Sequence, residues 1–419
     1  MGQVVDSLLE DGHPPRQILY MTTEASTVSS NDEGILADAI SVYEERVLGV
    51  GFGELDDDVY ILVDEVQKAD NWGDTVKLFS DRYERLNFLV SGSVSTLITE
   101  EANETLVGRA HEQVMVPMKF VDYLRYEGVL DEREVSERSR ELRAAVKSSA
   151  KDGNPNEMTL ALSDAYTHLE VRRPEIRDAL DRYLLRGGYP GYFDMSDADA
   201  LRELDQDLYR VVRGDLASVF SVDKREELMG VLRHFADCTG NKLSINAISN
   251  EHGLDRGTVE RYIQYLEEFF LVYRCSHYTS GARESRKQPM AYVSDVGHLN
   301  ALLGTSPEAF PRTETIGRIL ETAVCDHLRR LQFNFAEFRN SAVGYSERAG
   351  EIDFVMNGPD YLLPVEVKHG DPESADLTSI SRFLDREPDA IGLVVNGENV
   401  FSQQGRLMYV PDWLFFYIC

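Results

Sequence analysis

Residues 59–67 read VYILVDEVQ, an apolar run that ends abruptly in the acidic pair Asp64-Glu65. A short continuous apolar segment of this kind predicts a strand that is buried on both faces of a sheet. In phosphoryl transfer, an aspartate at the carboxyl end of a strand holds Mg²⁺, and a following carboxylate can orient the attacking water. The stretch therefore predicts that Asp64 binds Mg²⁺ and that Glu65 contributes to catalysis.

The segments around this strand alternate between predicted helices and predicted strands. Continuous apolar strands separated by helices indicate an α/β fold with a parallel sheet. The predicted strands are 18–21, 60–63, 88–90 and 113–116, and the predicted helices are 1–9, 35–48, 72–83 and 95–97.

Small polar residues follow the third predicted strand, as they would if that strand sensed a γ-phosphate beside Asp64. Ser91 and Ser93 occupy these positions. Arg109 could supply positive charge to a phosphoryl-transfer transition state, as an arginine finger does. A surface ion pair explains Arg109 equally well, and both interpretations stay open.

Length and composition limit the class of protein. A chain of 419 residues has room for two to four domains, and no apolar run approaches the roughly 18 residues that span a bilayer. No signal peptide opens the chain, and the four cysteines are scattered without metal-ligand spacing. These features predict a cytoplasmic protein without a membrane partner, and they argue against zinc.

The formal net charge is −30, from 73 acidic and 43 basic residues spread along the whole chain. Such a surface could repel nucleic acids, or it could be an adaptation to high salt, in which self-repulsion is screened. The even spread favours the high-salt interpretation. A nucleic-acid partner is therefore not excluded by charge alone.

Residues 225–295 predict two helices joined by a glycine-containing turn and followed by a hairpin, the pattern of a winged helix. The second helix, near TVERYIQYLEEFF (258–270), carries glutamates where base-reading helices offer Arg, Lys, Asn or Gln. Its aromatic residues favour packing against a neighbouring domain. Three basic residues in the following loop, Arg283, Arg286 and Lys287, could contact phosphate without reading sequence.

The C-terminal region places acids on a predicted hairpin. In EIDFV (351–355) and PVEVK (364–368), strand alternation puts Asp353 on one face and puts Glu366 and Lys368 together on one face. The set resembles the D…E-x-K site of the restriction-endonuclease-like superfamily. That resemblance implies Mg²⁺ binding by Asp353 and Glu366, support of the attacking water by Lys368, and an additional acid at Glu321. The alternative is a retained fold in which the acids form ion pairs with Lys368 and Arg348.

Taken in order, several segments resemble the AAA-type P-loop ATPases of bacteria and archaea that carry a C-terminal nuclease-like domain of unknown function. The segments are VDEVQKADNW (63–72), NFLVSGSVSTLI (87–98), LVGRAHEQVMVPMKFVDYL (106–124) and GGYP (187–190). The resemblance covers essentially the whole chain, and it implies binding and hydrolysis of ATP with Mg²⁺. It divides the chain into an ATPase core (1–118), a helical lid (119–222), a winged helix (223–297) and a nuclease-like domain (310–419).

The sequence departs from this family in one respect, because no Gly-Lys-Ser or Gly-Lys-Thr occurs in it. The phosphate-binding loop needs that lysine and its backbone N–H groups. Since residues 1–9 resemble the helix that follows the loop, we expect the loop to lie upstream of Met1. Three functions remain open: an ATPase whose loop is restored, a nuclease or DNA-binding effector with a degenerate ATPase half, and a truncated non-enzymatic scaffold. Self-association and protein partners also stay open.

Overall fold

The VYILVD segment forms the middle strand of a three-stranded parallel sheet in a computed structural model. The structure describes residues 1–23, 34–92, 105–106, 108–111, 113–279, 287–308, 310, 315–338, 340–369, 377–397 and 401–419. Within these ranges the chain divides into two compact units, Met1–Gln113 and Val114–Cys419.

The first unit packs helices on this parallel sheet. The middle strand is almost fully buried, as its continuous apolar run predicts, and Trp72 at the start of the following helix joins the same core. The α/β prediction with a parallel sheet is thereby confirmed. The described elements are α1 (Gly2–Glu10), β1 (Ile18–Thr22), α2 (Ile35–Tyr43), β2 (Val59–Asp64), α3 (Trp72–Arg82) and β3 (Leu86–Val90).

The strand predicted at 113–116 is wrong. The described residues of this segment form no strand, and Met115 is 92% exposed. Alternating valines suggested a strand here, but a strand also needs a neighbour to accept its backbone hydrogen bonds. The segment instead lies at the boundary between the two units.

The second unit begins with a succession of helices, as expected from the sequence after Phe120. Regularly spaced apolar residues of the helices between Phe120 and Leu204 pack into one large core, whereas those of the helices between Arg225 and Glu268 form most of a second core. The helices are α4 (Phe120–Tyr126), α5 (Glu132–Asp152), α6 (Asn156–Leu169), α7 (Arg173–Arg186), α8 (Asp197–Arg210), α9 (Ala217–Val219), α10 (Arg225–Cys238), α11 (Ile245–His252), α12 (Arg256–Glu268), α13 (Val296–Leu302), α14 (Ile316–Asn334), α15 (Thr378–Arg386) and α16 (Asp412–Phe415).

An eight-stranded mixed sheet completes the second unit, in the order β10-β11-β9-β8-β7-β6-β4-β5. The β4–β5 hairpin that follows α12 joins this sheet, because Ser276 and His277 of β4 pair in parallel with Gly344 and Tyr345 of β6. The strands are β4 (Val272–His277), β5 (Met290–Val293), β6 (Ala342–Ser346), β7 (Ile352–Asn357), β8 (Leu362–Lys368), β9 (Gly392–Asn396), β10 (Ser402–Gln404) and β11 (Leu407–Pro411).

The glycine-rich turn after α7 is held by a buried carboxylate on Asp295. Its Oδ1 accepts hydrogen bonds from the N–H groups of Gly297 and His298 at the start of α13, at 2.8 and 3.2 Å. Its Oδ2 accepts from Gly188 N at 2.9 Å. We call this point the Asp295 junction, since the same carboxylate caps a helix and fixes the turn.

No side chain fits on the inner glycine of this turn. A Cβ atom added to Gly188 would lie 2.2 Å from the backbone oxygen of Met118, whereas one added to Gly191 would meet nothing within 4 Å. Met118 N in turn donates to Gly188 O at 2.6 Å, so the two backbones approach from both sides. The requirement for glycine at Gly188 is therefore steric.

We expect Gly188→Ala to destabilise the second unit by about 3 kcal/mol, because the backbone of Met118 must move or lose its hydrogen bond. Gly191→Ala, the matched control in the same turn, should change stability by less than about 0.5 kcal/mol. Urea unfolding followed by circular dichroism would measure both. Equal unfolding midpoints for the two variants would contradict this assignment.

Candidate functional site

The predicted ATPase residues lie at the carboxyl edge of the parallel sheet. Asp64 ends β2, and its Oδ1 accepts a hydrogen bond from the hydroxyl of Ser91, which directly follows β3. Tyr20 of β1 approaches Oδ2 of the same carboxylate at 3.4 Å. Residues from three neighbouring strands therefore meet at one point, which we call the Asp64 edge (Asp64, Glu65 and Ser91). The predicted partner Ser93 lies outside the described residues.

Glu65 has a left-handed backbone conformation, with φ of 56°. This conformation costs roughly 1–2 kcal/mol for a residue with a side chain, and such strain concentrates at functional sites. The Glu65 carboxylate accepts from Gln67 Nε2 at 2.7 Å and lies 4.0 Å from Lys68 Nζ. The backbone oxygen of Glu65 also accepts from the Thr23 hydroxyl, which fixes the turn after β2.

Arg109 lies away from this edge. Its Nε donates to Asp81 Oδ1 at 2.6 Å, and Asp81 belongs to the last turn of α3, which leads into the amino end of β3. Asp64 lies at the carboxyl end of β2, on the opposite edge of the sheet. The structure thus forms the ion pair that was one of the two interpretations of Arg109, and its catalytic role stays a prediction.

The C-terminal acids come together as the hairpin predicts. Phe354 of β7 pairs with Val365 of β8 in an antiparallel register, so the adjacent step brings Asp353 beside Glu366. Asp353 Oδ2 accepts from Val367 N at 2.7 Å, which holds the carboxylate against β8. Together with Glu321 of α14 and Lys368, these acids form what we call the acidic cluster (Glu321, Asp353, Glu366 and Lys368).

Lys368 is the cation within this cluster. Its ammonium donates to Glu366 Oε1 at 2.6 Å, and the Glu366 side chain is only 6% exposed. The other oxygen, Glu366 Oε2, is buried and has no hydrogen-bond partner within the described part of the chain. A buried acceptor without a partner is costly, and a bound cation or ordered water would satisfy it.

Burial and mutual repulsion shift the pKa values of the acids upward. Desolvation, followed by the charge of Asp353, raises the pKa of Glu321 to about 8 and that of Glu366 to about 7. Desolvation also raises the pKa of Asp353, despite the hydrogen bond from Val367 N. Burial lowers the pKa of Lys368, but the hydrogen bond to Glu366 and the charges of the three acids raise it overall. The cluster therefore favours a cation, either a proton or a metal ion.

The acids are not gathered as tightly as a closed metal cage requires. The carboxylate oxygens of Glu321, Asp353 and Glu366 do not all lie within 4.8 Å of one another. Mg²⁺ usually keeps several waters and takes only one or two protein carboxylates. Asp353 and Glu366, which adjoin on the hairpin, can supply such a pair.

Two residues that the sequence did not indicate also border the acidic cluster. Gly240, with φ of +77°, lies so close that an added Cβ atom would be 2.9 Å from Glu321 Oε2. Arg318, one turn before Glu321, donates to the backbone oxygens of Thr239 and Ala236 at 2.8 and 2.9 Å. Both belong to a contact between α14 and the loop after α10, which is distant in sequence and has no local signal.

Several described residues of the predicted winged helix make contacts within the protein. Glu260 and Glu267 of α12 form ion pairs with Arg274 of β4, and Tyr265 stacks on Phe220 at 3.9 Å between ring centroids. Arg283 and Arg286 lie outside the described residues. In the same loop, Lys287 pairs with Glu347 at 2.6 Å.

Comparison with protein families gives three matches along the chain. Residues 1–124 match the family described as "AAA domain". Residues 177–309 match "Domain of unknown function (DUF8612)", and residues 316–414 match "Domain of unknown function (DUF4143)". None of the described helices is both long enough and apolar enough to cross a bilayer.

Three curated proteins similar to this chain are described as uncharacterized. The uncharacterized protein MJ1637 of Methanocaldococcus jannaschii is 20% identical over 95% of this chain and 77% of its own length. A second protein of that organism, MJ1544, is 23% identical over 77% of this chain and 66% of its own length. An uncharacterized protein of Haemophilus influenzae is 22% identical over 85% of this chain and 77% of its own length.

No solved structure matches the chain. The AAA-domain match to residues 1–124, together with the match of residues 316–414 to the second domain of unknown function, supports an AAA-type ATPase-like family.

Proposed function

We propose that this chain is an AAA-type ATPase whose first unit orders Mg²⁺ and water at the Asp64 edge. The observation that carries the proposal is the convergence of Asp64 and Ser91 from neighbouring parallel strands. In open α/β sheets, ligands bind outside the carboxyl ends of the strands, where these side chains lie. The AAA-domain match of residues 1–124 supports the same function.

In this proposal each residue of the Asp64 edge has a separate role. Asp64 holds Mg²⁺, directly or through water, and Glu65 orients the water that attacks the γ-phosphate. Ser91 and Ser93 sense that phosphate from the neighbouring strand. Because Arg109 lies at the opposite edge of the sheet, it would reach a phosphate only on another copy of the chain. ATP and Mg²⁺ are the proposed cofactors.

A second candidate function is Mg²⁺-dependent cleavage of nucleic acid at the acidic cluster. The unpartnered, buried Oε2 of Glu366 favours it, because this oxygen fits a hard cation. Asp353 and Glu366 would hold the ion, which would polarise a phosphodiester and lower the pKa of a bound water. Lys368 would support the attacking water or the charge on phosphorus, and Glu321 would hold a proton nearby.

The predicted winged helix belongs to this second function as a positioning element. We propose that α10–α12 and the β4–β5 hairpin form it, and that its loop contacts phosphate through Arg283, Arg286 and Lys287. The ion pairs of Glu260 and Glu267 with Arg274 favour packing of α12 within the protein over base recognition. A nucleic-acid partner would then be held without reading of its sequence.

For the ATPase, we expect Asp64→Asn to weaken binding of Mg²⁺ and a fluorescent ATP analogue by about tenfold, roughly 1.4 kcal/mol. Glu65→Gln should leave binding intact and abolish turnover, because the carboxylate acts on water. Asp58→Asn, an exposed acid just before β2, is the matched control. Binding and turnover are both measured on a chain extended upstream to an in-frame G-x-x-x-x-G-K-[ST], because the lysine that holds the phosphates is absent from these 419 residues. Equal binding by Asp64→Asn and Asp58→Asn would exclude the assignment of Asp64.

For the nuclease, cleavage of DNA or RNA in Mg²⁺ should fall by about 10²–10³-fold in Asp353→Asn and in Lys368→Ala. This is the range for losing one group that stabilises charge in a transition state. Glu351→Gln, an exposed acid two residues before Asp353, should cleave like the unmodified chain. Cleavage that survives both changes would refute the site, and it would point to a contaminating enzyme.

The raised pKa values predict a pH-dependent stability. Glu321 and Glu366 have folded-state pKa values of about 8 and about 7, above the roughly 4.3 of an unfolded glutamate. Their stabilisation is complete below the unfolded value and is lost as pH rises through 7 and 8. Between about pH 5 and pH 8 the metal-free protein should therefore lose more stability than Glu321→Gln does, by roughly 3–4 kcal/mol.

Urea midpoints at the two pH values, with Glu351→Gln as the control, would measure this difference. Adding Mg²⁺ at pH 8 should restore stability to the unmodified chain, because the ion replaces the lost protons. Parallel pH profiles for the unmodified chain and Glu321→Gln would contradict the burial of this acid.

A further inference from the structure

Two histidines and a glutamate lie together in the second unit, on α10 and α11. One ligand atom from each of His234, Glu251 and His252 lies within 4.8 Å of the others. His234 Nδ1 and Glu251 Oε2 are 2.8 Å apart, which is within hydrogen-bonding distance. We call these three residues the His–Glu–His cluster. Neither the ATPase nor the nuclease proposal uses it.

The two helices bring the cluster together by a close contact at Gly230. A Cβ atom added to Gly230 would lie 2.6 Å from Cε1 and 2.8 Å from Nδ1 of the His252 ring. The ring therefore lies directly on the backbone of α10. His234 follows Gly230 by four residues, so it lies on the same face of α10. Glycine at this position is what allows the ring to reach the neighbourhood of His234.

A second observation points to a ligand. His252 Nε2 is shielded from solvent and has no hydrogen-bond partner among the described residues. A buried ring nitrogen without a partner costs free energy, and coordination of a metal ion is one way to satisfy a histidine nitrogen. His234 Nδ1 and Glu251 Oε2 are also both metal-ligand atoms, and they lie close enough together for one cation to contact both.

The chain provides a contrast in another histidine–glutamate pair. His168 Nε2 lies 2.5 Å from Glu134 Oε1, but Arg172 donates to the other carboxylate oxygen at 2.9 Å. An arginine already supplies the positive charge at this pair. Among the described residues, the pair is not part of a three-residue group of potential metal ligands like the one on α10 and α11. The contact at His168 is therefore a hydrogen bond to a carboxylate that an arginine already neutralises.

We propose that His234, Glu251 and His252 bind one transition-metal ion of the Zn²⁺ class, which fastens α11 to α10. Imidazole and carboxylate are ligands that Zn²⁺, Ni²⁺ and Cu²⁺ accept, whereas Mg²⁺ prefers oxygen alone. Three protein ligands leave the fourth position of a tetrahedral Zn²⁺ ion open to a water molecule. The scattered cysteines argued against zinc in the sequence, but this ligand set contains no cysteine.

Calorimetric titration of the full 419-residue chain with ZnCl₂ tests the proposal. Excess Mg²⁺ is present throughout, so that the carboxylates of the acidic cluster are occupied. We expect one Zn²⁺ per chain, with affinity lowered at least about tenfold in His234→Ala and in Glu251→Gln. His168→Ala, the matched control, should bind as the unmodified chain does. Zn²⁺ should also raise the melting temperature of the unmodified chain and of His168→Ala, and not that of His234→Ala.

Circular dichroism checks that each variant is folded before it is titrated. The Glu251 side chain is 57% exposed and that of His234 is 17% exposed, so circular dichroism should show both variants folded. If His234→Ala does not fold, the more exposed Glu251→Gln decides. Absence of Zn²⁺ binding by the unmodified chain overturns the proposal, and so does unchanged affinity in folded His234→Ala or folded Glu251→Gln.

Visible spectra with Co²⁺ in place of Zn²⁺ give an independent readout. Coordination by the cluster should produce the intense bands of a low-coordinate ion, and Gly230→Ala should weaken them because its Cβ displaces the His252 ring. Identical spectra for the unmodified chain, Gly230→Ala and Glu251→Gln would locate Co²⁺ elsewhere and overturn the assignment.

Discussion

The second unit depends on how one buried carboxylate, that of Asp295, satisfies backbone groups from separate parts of the chain. It accepts from the first turn of α13 and from the glycine turn after α7. Asn300, on the same helix, donates to the carbonyl oxygens of Leu184 and Leu185, which end α7. Helix ends buried away from water need such partners. Because residues of α13 and its N-cap supply them to the end of α7, these two helices, about 110 residues apart in sequence, stabilise one another.

The sequence indicates those elements that are determined by neighbouring residues along the chain. The strand VYILVD is visible because its apolar run needs only two flanking strands, and the hairpin of Asp353 and Glu366 is visible because a short turn fixes its register. The false strand at 113–116 shows the limit of this reasoning. Its valines alternate correctly, but no local feature says whether another strand lies alongside.

The candidate site residues also differ in whether the sequence could place them. Asp64 and Ser91 were predictable because the carboxyl ends of adjacent parallel strands must meet at one edge. The approach of Gly240 to Glu321 was not, since about 80 residues separate them and the contact is made by a loop. His234 and Glu251 are separated by only 17 residues, but a turn and part of two helices intervene, and no spacing rule covers such an arrangement. Arg109 illustrates a further limit, because its sequence context does not fix which edge of the sheet it reaches.

Strand β4 belongs to two structures at once. On one side it forms a hairpin with β5 behind helix α12, and on the other it pairs with β6 of the sheet that carries the acidic cluster. A strand hydrogen-bonded on both sides cannot shift for one neighbour without breaking bonds to the other. Residues 223–297 and 310–419, which the sequence divides into two domains, are therefore expected to unfold as one cooperative block. A displacement of helices α10–α12 would therefore be transmitted through β4 to the strands that hold the acidic cluster.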